Sequence, residues 1–198
     1  EMVPGLGPDV VGASFTLYDS ECTPLYVLRS MHAAITGLGG RYVPGARVTA
    51  VKAAGGTFIV EAGGERASAP RIVVSAGLGS PDLAGQLGLA MPLRPERGQV
   101  IITERARRSI PMTLGLIRQT AEGGFMLGRS SEDAGLNDRT TTATLGSIAA
   151  TAVRLLPYLA DLQVVRAWGG LRIMAPDAFP IYDRSEEFPG AYAATCHS

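Results

Sequence analysis

An α+β fold, a mainly antiparallel mixed sheet with covering helices, is predicted by three features of the sequence. Short β-branched runs separated by Gly-Gly pairs occupy residues 46 to 75, and further short apolar runs follow between residues 99 and 128. One long amphipathic segment, Thr140 to Leu156, stands between those runs and the last strands. Strands in blocks, with a helix able to cover them, describe α+β architecture.

Thr23 and Pro24 form an N-cap and N1 pair for a helix running to about Thr36, which Gly37, Gly39 and Gly40 end. Ala46 to Val51, Thr57 to Glu61 and Arg71 to Ser75 read as strands, with hairpin connections at Gly55-Gly56 and Gly63-Gly64. Ala76-Gly77-Leu78-Gly79-Ser80 follows, a segment that fits two readings. Its glycines allow close approach to a ligand, or Ser80 caps a helix entered at Pro81. Asp82 to Leu87 is then a short helix, Gln99 to Thr103 and Pro111 to Arg118 are strands, and Gly123-Gly124 turns the chain into Phe125 to Gly128. In the long segment, Leu145, Ile148, Ala149, Ala152, Val153 and Leu156 recur at three- and four-residue spacing and line one apolar face, until Pro157 closes it. Such a face covers a sheet. Val164 to Trp168, Pro180 to Ile181 and Ala191 to Thr195 supply the remaining strands.

Composition narrows the functional classes. The 198 residues are 46% apolar and 18% charged, enough for a sizeable core, and 18 Lys+Arg balance 18 Asp+Glu without a run of like charge. Neither nucleic acid nor an anionic membrane is an expected partner, and no apolar stretch reaches the length of a transmembrane segment. Lys52 is the only lysine, which excludes a Walker-type phosphate loop. Cys22 and Cys196 are far apart and outside any C-x-x-C pair, so neither a metal site nor a disulfide framework is indicated, and a reducing, cytoplasmic setting is expected. His32 and His197 are the only histidines, and His32 falls in a helical pattern.

The chemistry-bearing stretch is W-G-G-L-R-I-M-A-P-D-A-F-P-I, Trp168 to Ile181, where Arg172 precedes a proline-bounded turn. A guanidinium is a rigid, permanently charged fork that can hold a carboxylate through two parallel hydrogen bonds. Arg172 is therefore a candidate substrate anchor, with a structural ion pair as the competing assignment. Nucleotide fingerprints fail: Gly37, Gly39 and Gly40 follow a helix and lack the third glycine at Tyr42, and Gly77 and Gly79 are followed by Asp82 where that glycine belongs. The opening at Glu1 and the ending T-C-H-S after a strand-like run suggest a piece of a longer protein, whose dinucleotide cradle would lie in other sequence.

In order along the chain, V-V-S-A-G at Val73 to Gly77, L-R-P-E-R-G-Q at Leu93 to Gln99, I-R-Q-T at Ile117 to Thr120 and G-G-F-M-L-G at Gly123 to Gly128 are joined by W-G-G-L-R, P-D-A-F-P-I and A-A-T-C-H-S. Together they resemble the FAD-dependent D-amino-acid oxidase superfamily, in its glycine oxidase, sarcosine oxidase, D-amino-acid and D-hydroxyproline dehydrogenase, opine oxidase and hydrogen cyanide synthase branch. That resemblance implies a substrate-binding domain over residues 1–18 and 81–175. It also implies part of a Rossmann-like FAD-binding domain over 19–80 and 176–198. It puts Val48, Ala76, Gly77 and His197 at the FAD, and Arg172 at the substrate carboxylate. Arg118 is a second substrate-binding candidate, on a strand expected to face the pocket, with placement on the surface as the competing assignment.

The implied reaction oxidises the CH–NH bond of an amino acid or secondary amine carboxylate by hydride transfer to flavin. It needs orientation and a neutral amine, and no side chain here as general base. Several relatives of this branch look like subunits of heteromeric dehydrogenases. Partner subunits are therefore expected, and a noncatalytic binding or assembly role is the alternative. Cys196 departs from the family pattern, which carries glycine there. Either the backbone avoids positive φ at that position or the local turn differs.

Overall fold

The computed structural model describes residues 2–18, 20–107 and 109–196. The chain forms two compact units, each made of two segments: Glu1–Ser20 with Pro95–Arg172, and Glu21–Arg94 with Ile173–Ser198. Its elements in chain order are α1 (Pro24–Gly37), β1 (Val48–Ala54), β2 (Thr57–Ala62), β3 (Glu65–Ala69), β4 (Ile72–Val74), α2 (Ser80–Gly85), β5 (Arg94–Arg105), β6 (Ile117–Gln119), β7 (Gly124–Gly128), α3 (Thr142–Leu155), β8 (Val164–Met174), β9 (Ile181–Arg184) and β10 (Ala191–Thr195).

The first unit is built on the sheet β6-β7-β5-β8, in which β7 runs antiparallel to both β5 and β6. Side chains alternate between the faces of a strand, and β5 shows this directly: Arg97, Gln99, Ile101 and Thr103 are buried. Ile101 joins Ile117, Phe125 and Leu127 under Ile148 and Ala152 of α3, with Leu156 and Leu159 closing the cluster. The spacing read from the sequence therefore marks the covered face of α3. Each large apolar side chain fully buried there contributes about 2 kcal/mol. The expected strand Pro111 to Arg118 shrinks to its end. Leu114 and Ile117 exchange backbone hydrogen bonds around Gly115, whose φ is 53°, and so form a tight turn ahead of β6.

The second unit holds two three-stranded sheets, β1-β2-β3 and β4-β10-β9. Gly55-Gly56 has φ 57° and 73°, and Gly63-Gly64 has 57° and 89°. Two successive positive φ values make the primed turns that match strand twist, and both pairs close hairpins. The second hairpin, however, returns through Glu65–Ala69, every residue of which is exposed. The Arg71 to Ser75 run, expected to follow that turn directly, forms β4 and pairs parallel with β10.

Residues 81–94, assigned by the resemblance to the other domain, lie within this unit, where Ala84, Leu87, Leu89 and Met91 pack with Val51, Phe58, Val74, Ala191 and Ala193. Ser80 is the first residue of α2 rather than its N-cap, and its Oγ accepts a hydrogen bond from Ala76 N at 3.0 Å. His32, on exposed α1, meets Tyr42 edge to face at 4.8 Å, and Lys52 forms an exposed ion pair with Glu61.

Among the described residues, Arg129, Ala178 and Cys196 have positive φ without being glycine, and the last two lie in motifs read from the sequence. Cys196 has φ 61° and Ala178 has φ 60°. Cys196 thus keeps the positive φ that the family's glycine suggests. Its buried thiol accepts from Ala175 N at 3.0 Å and donates to Ile173 O at 3.1 Å. Ala178 sits in the turn after Arg172, its N–H bonded to Ala175 O at 3.1 Å. A left-handed alanine costs about 1 kcal/mol that glycine does not incur. Ala178→Gly should therefore raise the stability of the protein by about 0.5 kcal/mol at most in denaturant titrations, once glycine's larger unfolded-state entropy is subtracted. A loss of stability would contradict the strain.

Candidate functional site

Two faces of one strand organise the site. In the segment Pro95 to Gln99, Arg97 and Gln99 point into the covered side of the sheet, while Glu96 and Gly98 lie on the other. A Cβ built on Gly98 would stand 2.7 to 2.8 Å from Nη2, Cζ and Nη1 of Arg172. The guanidinium thus lies flat over the glycine Cα. Its Nη1 donates to the Ser130 carbonyl at 2.8 Å and, more loosely, to Glu96 Oε1 at 3.4 Å. Among the described residues Nη2 and Nε have no hydrogen-bond partner, and the Arg172 side chain is 37% exposed. One nitrogen is tethered; the rest of the fork remains available. Of the two sequence assignments for Arg172, the structure contains the ion pair, with Glu96.

Arg118 shares this face. It stands opposite Met126 on β7, which stands opposite Ile102 on β5, and residues directly across an antiparallel pair point to the same side. Val100, Ile102 and Met126, all half-buried, make an apolar floor between the Arg172 guanidinium and Arg118. An arginine fork over an apolar floor can bind a carboxylate that bears an apolar or amine-bearing body.

The covered side of the same strand carries a polar network that sequence reasoning missed. Glu132 Oε2 accepts from Arg97 Nη2 at 2.8 Å and Thr144 Oγ1 at 3.1 Å, and Oε1 accepts from Gln99 Nε2 at 2.8 Å and Ser130 Oγ at 3.0 Å. Arg97 and Glu132 also exchange two backbone hydrogen bonds, and the Arg97 guanidinium reaches the carbonyl of Arg139 at 3.0 Å. Gln99 Oε1 accepts from Thr141 N at 2.9 Å, just before α3. The Arg97 guanidinium beside it pulls the Glu132 carboxyl from 4.5 down to about 2, against the opposing effect of burial, with Gln99, Ser130 and Thr144 adding to the fall. A groove of about 500 Å³ opens beside α3 along Arg129, Ser130, Glu132 and Thr144. The carboxylate in it already has four donors, so its chemistry is structural. The sequence signal for this network is R-G-Q followed by S-S-E-D, charged and amide side chains on strands whose neighbours are apolar.

The expected cofactor residues fall in the second unit. Val48 opens β1 beside an irregularity in the β1–β2 register between Val48 and Ala50, where a backbone group is left outside the ladder. Ala76 and Gly77 follow β4 at the carboxyl end of the parallel β4–β10 pair, and Gly77 has φ 60°. Ligands of open α/β sheets bind at that end of the strands. A Cβ on Gly77 would meet Ile173 Cδ1 at 3.3 Å, so its turn conformation is what requires glycine. Ser75 and Ala76 are exposed, with Ala76 N donating to Ser80 Oγ and Ala76 O accepting from Gly79 N, while the sequence has no G-x-G-x-x-G to cradle a pyrophosphate. His197 lies outside the described residues.

The profile of the family described as DAO, FAD dependent oxidoreductase, matches residues 1–198. An opine oxidase subunit from Rhizobium meliloti is 36% identical over 198 residues, covering 100% of this chain and 53% of that protein. A glycine oxidase from Pseudomonas putida is 31% identical over 195 residues, covering 91% of this chain and 51% of the relative. The chain thus spans about half the length of these curated relatives. Among solved structures, L-proline dehydrogenase from P. horikoshii superposes with a TM-score of 0.80 at 20% identity, over 88% of this chain and 50% of that one. Glycine oxidase from Geobacillus kaustophilus gives 0.78 at 17% identity, over 85% and 47%. These two likenesses establish the fold.

Glu132 supplies a pH test of the geometry. Its folded pKa lies below the unfolded value, so its contribution to stability is fully present above about pH 4.5 and is lost as pH falls through about 2. Glu132→Gln should flatten the stability profile across that interval. At neutral pH it should cost about 3 kcal/mol, because buried Arg97 loses its counter-charge. An unchanged acid limb in urea titrations would refute the assignment.

Proposed function

From the chain's membership of the FAD-dependent oxidoreductase family, we propose that it is part of an enzyme oxidising the CH–NH bond of an amino acid or secondary amine carboxylate. The observation that carries this reading is the Arg172 guanidinium, seated on Gly98, tethered through Nη1 and open along its remaining donors. Bound FAD supplies the hydride acceptor. Arg172 then holds the substrate carboxylate by charge-assisted hydrogen bonds, and the apolar floor of Val100, Ile102 and Met126 keeps water from the body of the substrate. Fixing the carboxylate fixes which C–H bond is presented, and that orientation is the protein's main contribution. Arg118 borders the same floor and is assigned to the substrate's far end.

Val48, Ala76 and Gly77, in the second unit, are the residues that would hold the FAD. The units correspond in this reading to a substrate-binding portion and part of a FAD-binding portion. The pyrophosphate would be held by sequence outside these 198 residues. Relatives named as subunits of larger enzymes, that of opine oxidase among them, support a partner subunit for this protein too.

Anaerobic flavin reduction by the full-length protein with its co-purified partners, against glycine, N-methylglycine, D-amino acids, hydroxyprolines and opines, tests the reading. Bleaching by one class identifies the substrate; a protein that carries no flavin leaves a noncatalytic binding role instead. In the active protein, Arg172→Ala should raise KM at least about 30-fold, through loss of a paired charge in a half-buried site, and an unmoved KM would discard the anchor. Gly98→Ala should raise KM about tenfold while leaving Tm unchanged, since the displaced group is the end of a flexible side chain. A fall in Tm with normal KM would show that Gly98 serves only the strand.

A further inference from the structure

We propose that Ser130 is a positioning residue for Arg172, its hydroxyl standing in for its own carbonyl in the strand ladder so that the carbonyl is released to hold the guanidinium. The consequence for substrate binding rests on the reading of Arg172 as the carboxylate receptor; the exchange of acceptors does not. Val100 of β5 stands opposite Gly128, the last residue of β7, and Arg97 stands opposite Glu132. Residues 98 and 99 therefore face residues 129 to 131, one more than regular pairing provides, which is a β-bulge. Arg129 lies in it with φ 111°, a conformation open to glycine and rare for arginine. Bulges re-aim the groups they carry.

Arg97 and Glu132 exchange both backbone hydrogen bonds, at 2.9 and 3.0 Å. In a regular antiparallel ladder the next such pair lies two residues on, so Gln99 N would donate to the Ser130 carbonyl. It donates instead to Ser130 Oγ at 2.8 Å, and the hydroxyl in turn donates to Glu132 Oε1 at 3.0 Å. That second bond fixes the hydroxyl proton on the carboxylate and leaves its lone pairs to the strand. The Ser130 carbonyl accepts from Arg172 Nη1 at 2.8 Å, a closer contact than the 3.4 Å from the same nitrogen to Glu96 Oε1. Gln99 is fully buried, so its N–H cannot be left without an acceptor except at a cost. With the hydroxyl gone, the carbonyl turns back to Gln99 N, the ladder closes, and Nη1 loses its short tether.

The test uses the full-length flavoprotein with its co-purified partners and the member of the glycine, N-methylglycine, D-amino acid, hydroxyproline and opine panel that reduces its flavin. Ser130→Ala should raise KM about tenfold. Ser130→Thr, which keeps the hydroxyl, should restore it, and Ser130→Cys, whose thiol accepts weakly, should fall between. Thr144→Ala is the control for a purely structural role: it also removes one donor from Glu132, so it should lower Tm about as much as Ser130→Ala and leave KM within twofold. A crystal structure of the Ser130→Ala protein should show Gln99 N on the carbonyl of residue 130 and Arg172 Nη1 withdrawn from it. Equal KM changes in Ser130→Ala and Thr144→Ala, or a carbonyl still bonded to Nη1 in that structure, would overturn the role of Ser130. If the structure shows the exchange while Arg172→Ala leaves KM unmoved, the exchange stands and the receptor reading fails.

Discussion

Glu132 gathers donors from three parts of the first unit: Arg97 and Gln99 on β5, Ser130 in its own loop, and Thr144 in the first turn of α3. A negative charge near a helix N-terminus is favourable in itself, and this one also neutralises a guanidinium that is only 8% exposed. The pair keeps the 129–141 segment close against β5. Ser130 in that segment faces both ways: its hydroxyl joins Glu132 and its carbonyl receives Arg172. The position of the candidate receptor is thus set by an ion pair on the opposite face of the strand.

The alternation of β5 gives a physical reading of the stretch P-E-R-G-Q. Residues 97 and 99 serve the buried network, and residues 96 and 98 serve Arg172. A one-residue slip in this strand would exchange the two sets and disable both. The W-G-G-L-R stretch has a comparable constraint, since a side chain at Gly169 would collide with the Asp138 carbonyl. Small residues in these motifs make room for groups that polar chemistry then fixes.

Periodic features were legible in the sequence. The α3 face, the glycine pairs of the hairpins and the Thr23-Pro24 helix entry each express a local rule, and the structure realises them at Thr142–Leu155, at φ values of 57° to 89°, and at Pro24–Gly37. Strand β3 was not legible, because E-R-A-S-A is wholly exposed and carries no alternation. The Arg97–Glu132 pair was also hidden. Its partners stand 35 residues apart, and charged residues read from sequence alone are assigned to the surface. The candidacy of Arg172 came from the motif around it; the groups that hold it, Ser130 and Glu96, come from strand order and register, which local pattern does not encode.

The most direct test of this account is a crystal structure of the full-length flavoprotein with a bound, unreactive amine carboxylate. The account predicts that the ligand carboxylate lies on the Nη2–Nε edge of Arg172, with Nη1 still on the Ser130 carbonyl. A carboxylate bound to other residues, with the Arg172 edge left to solvent, would contradict it.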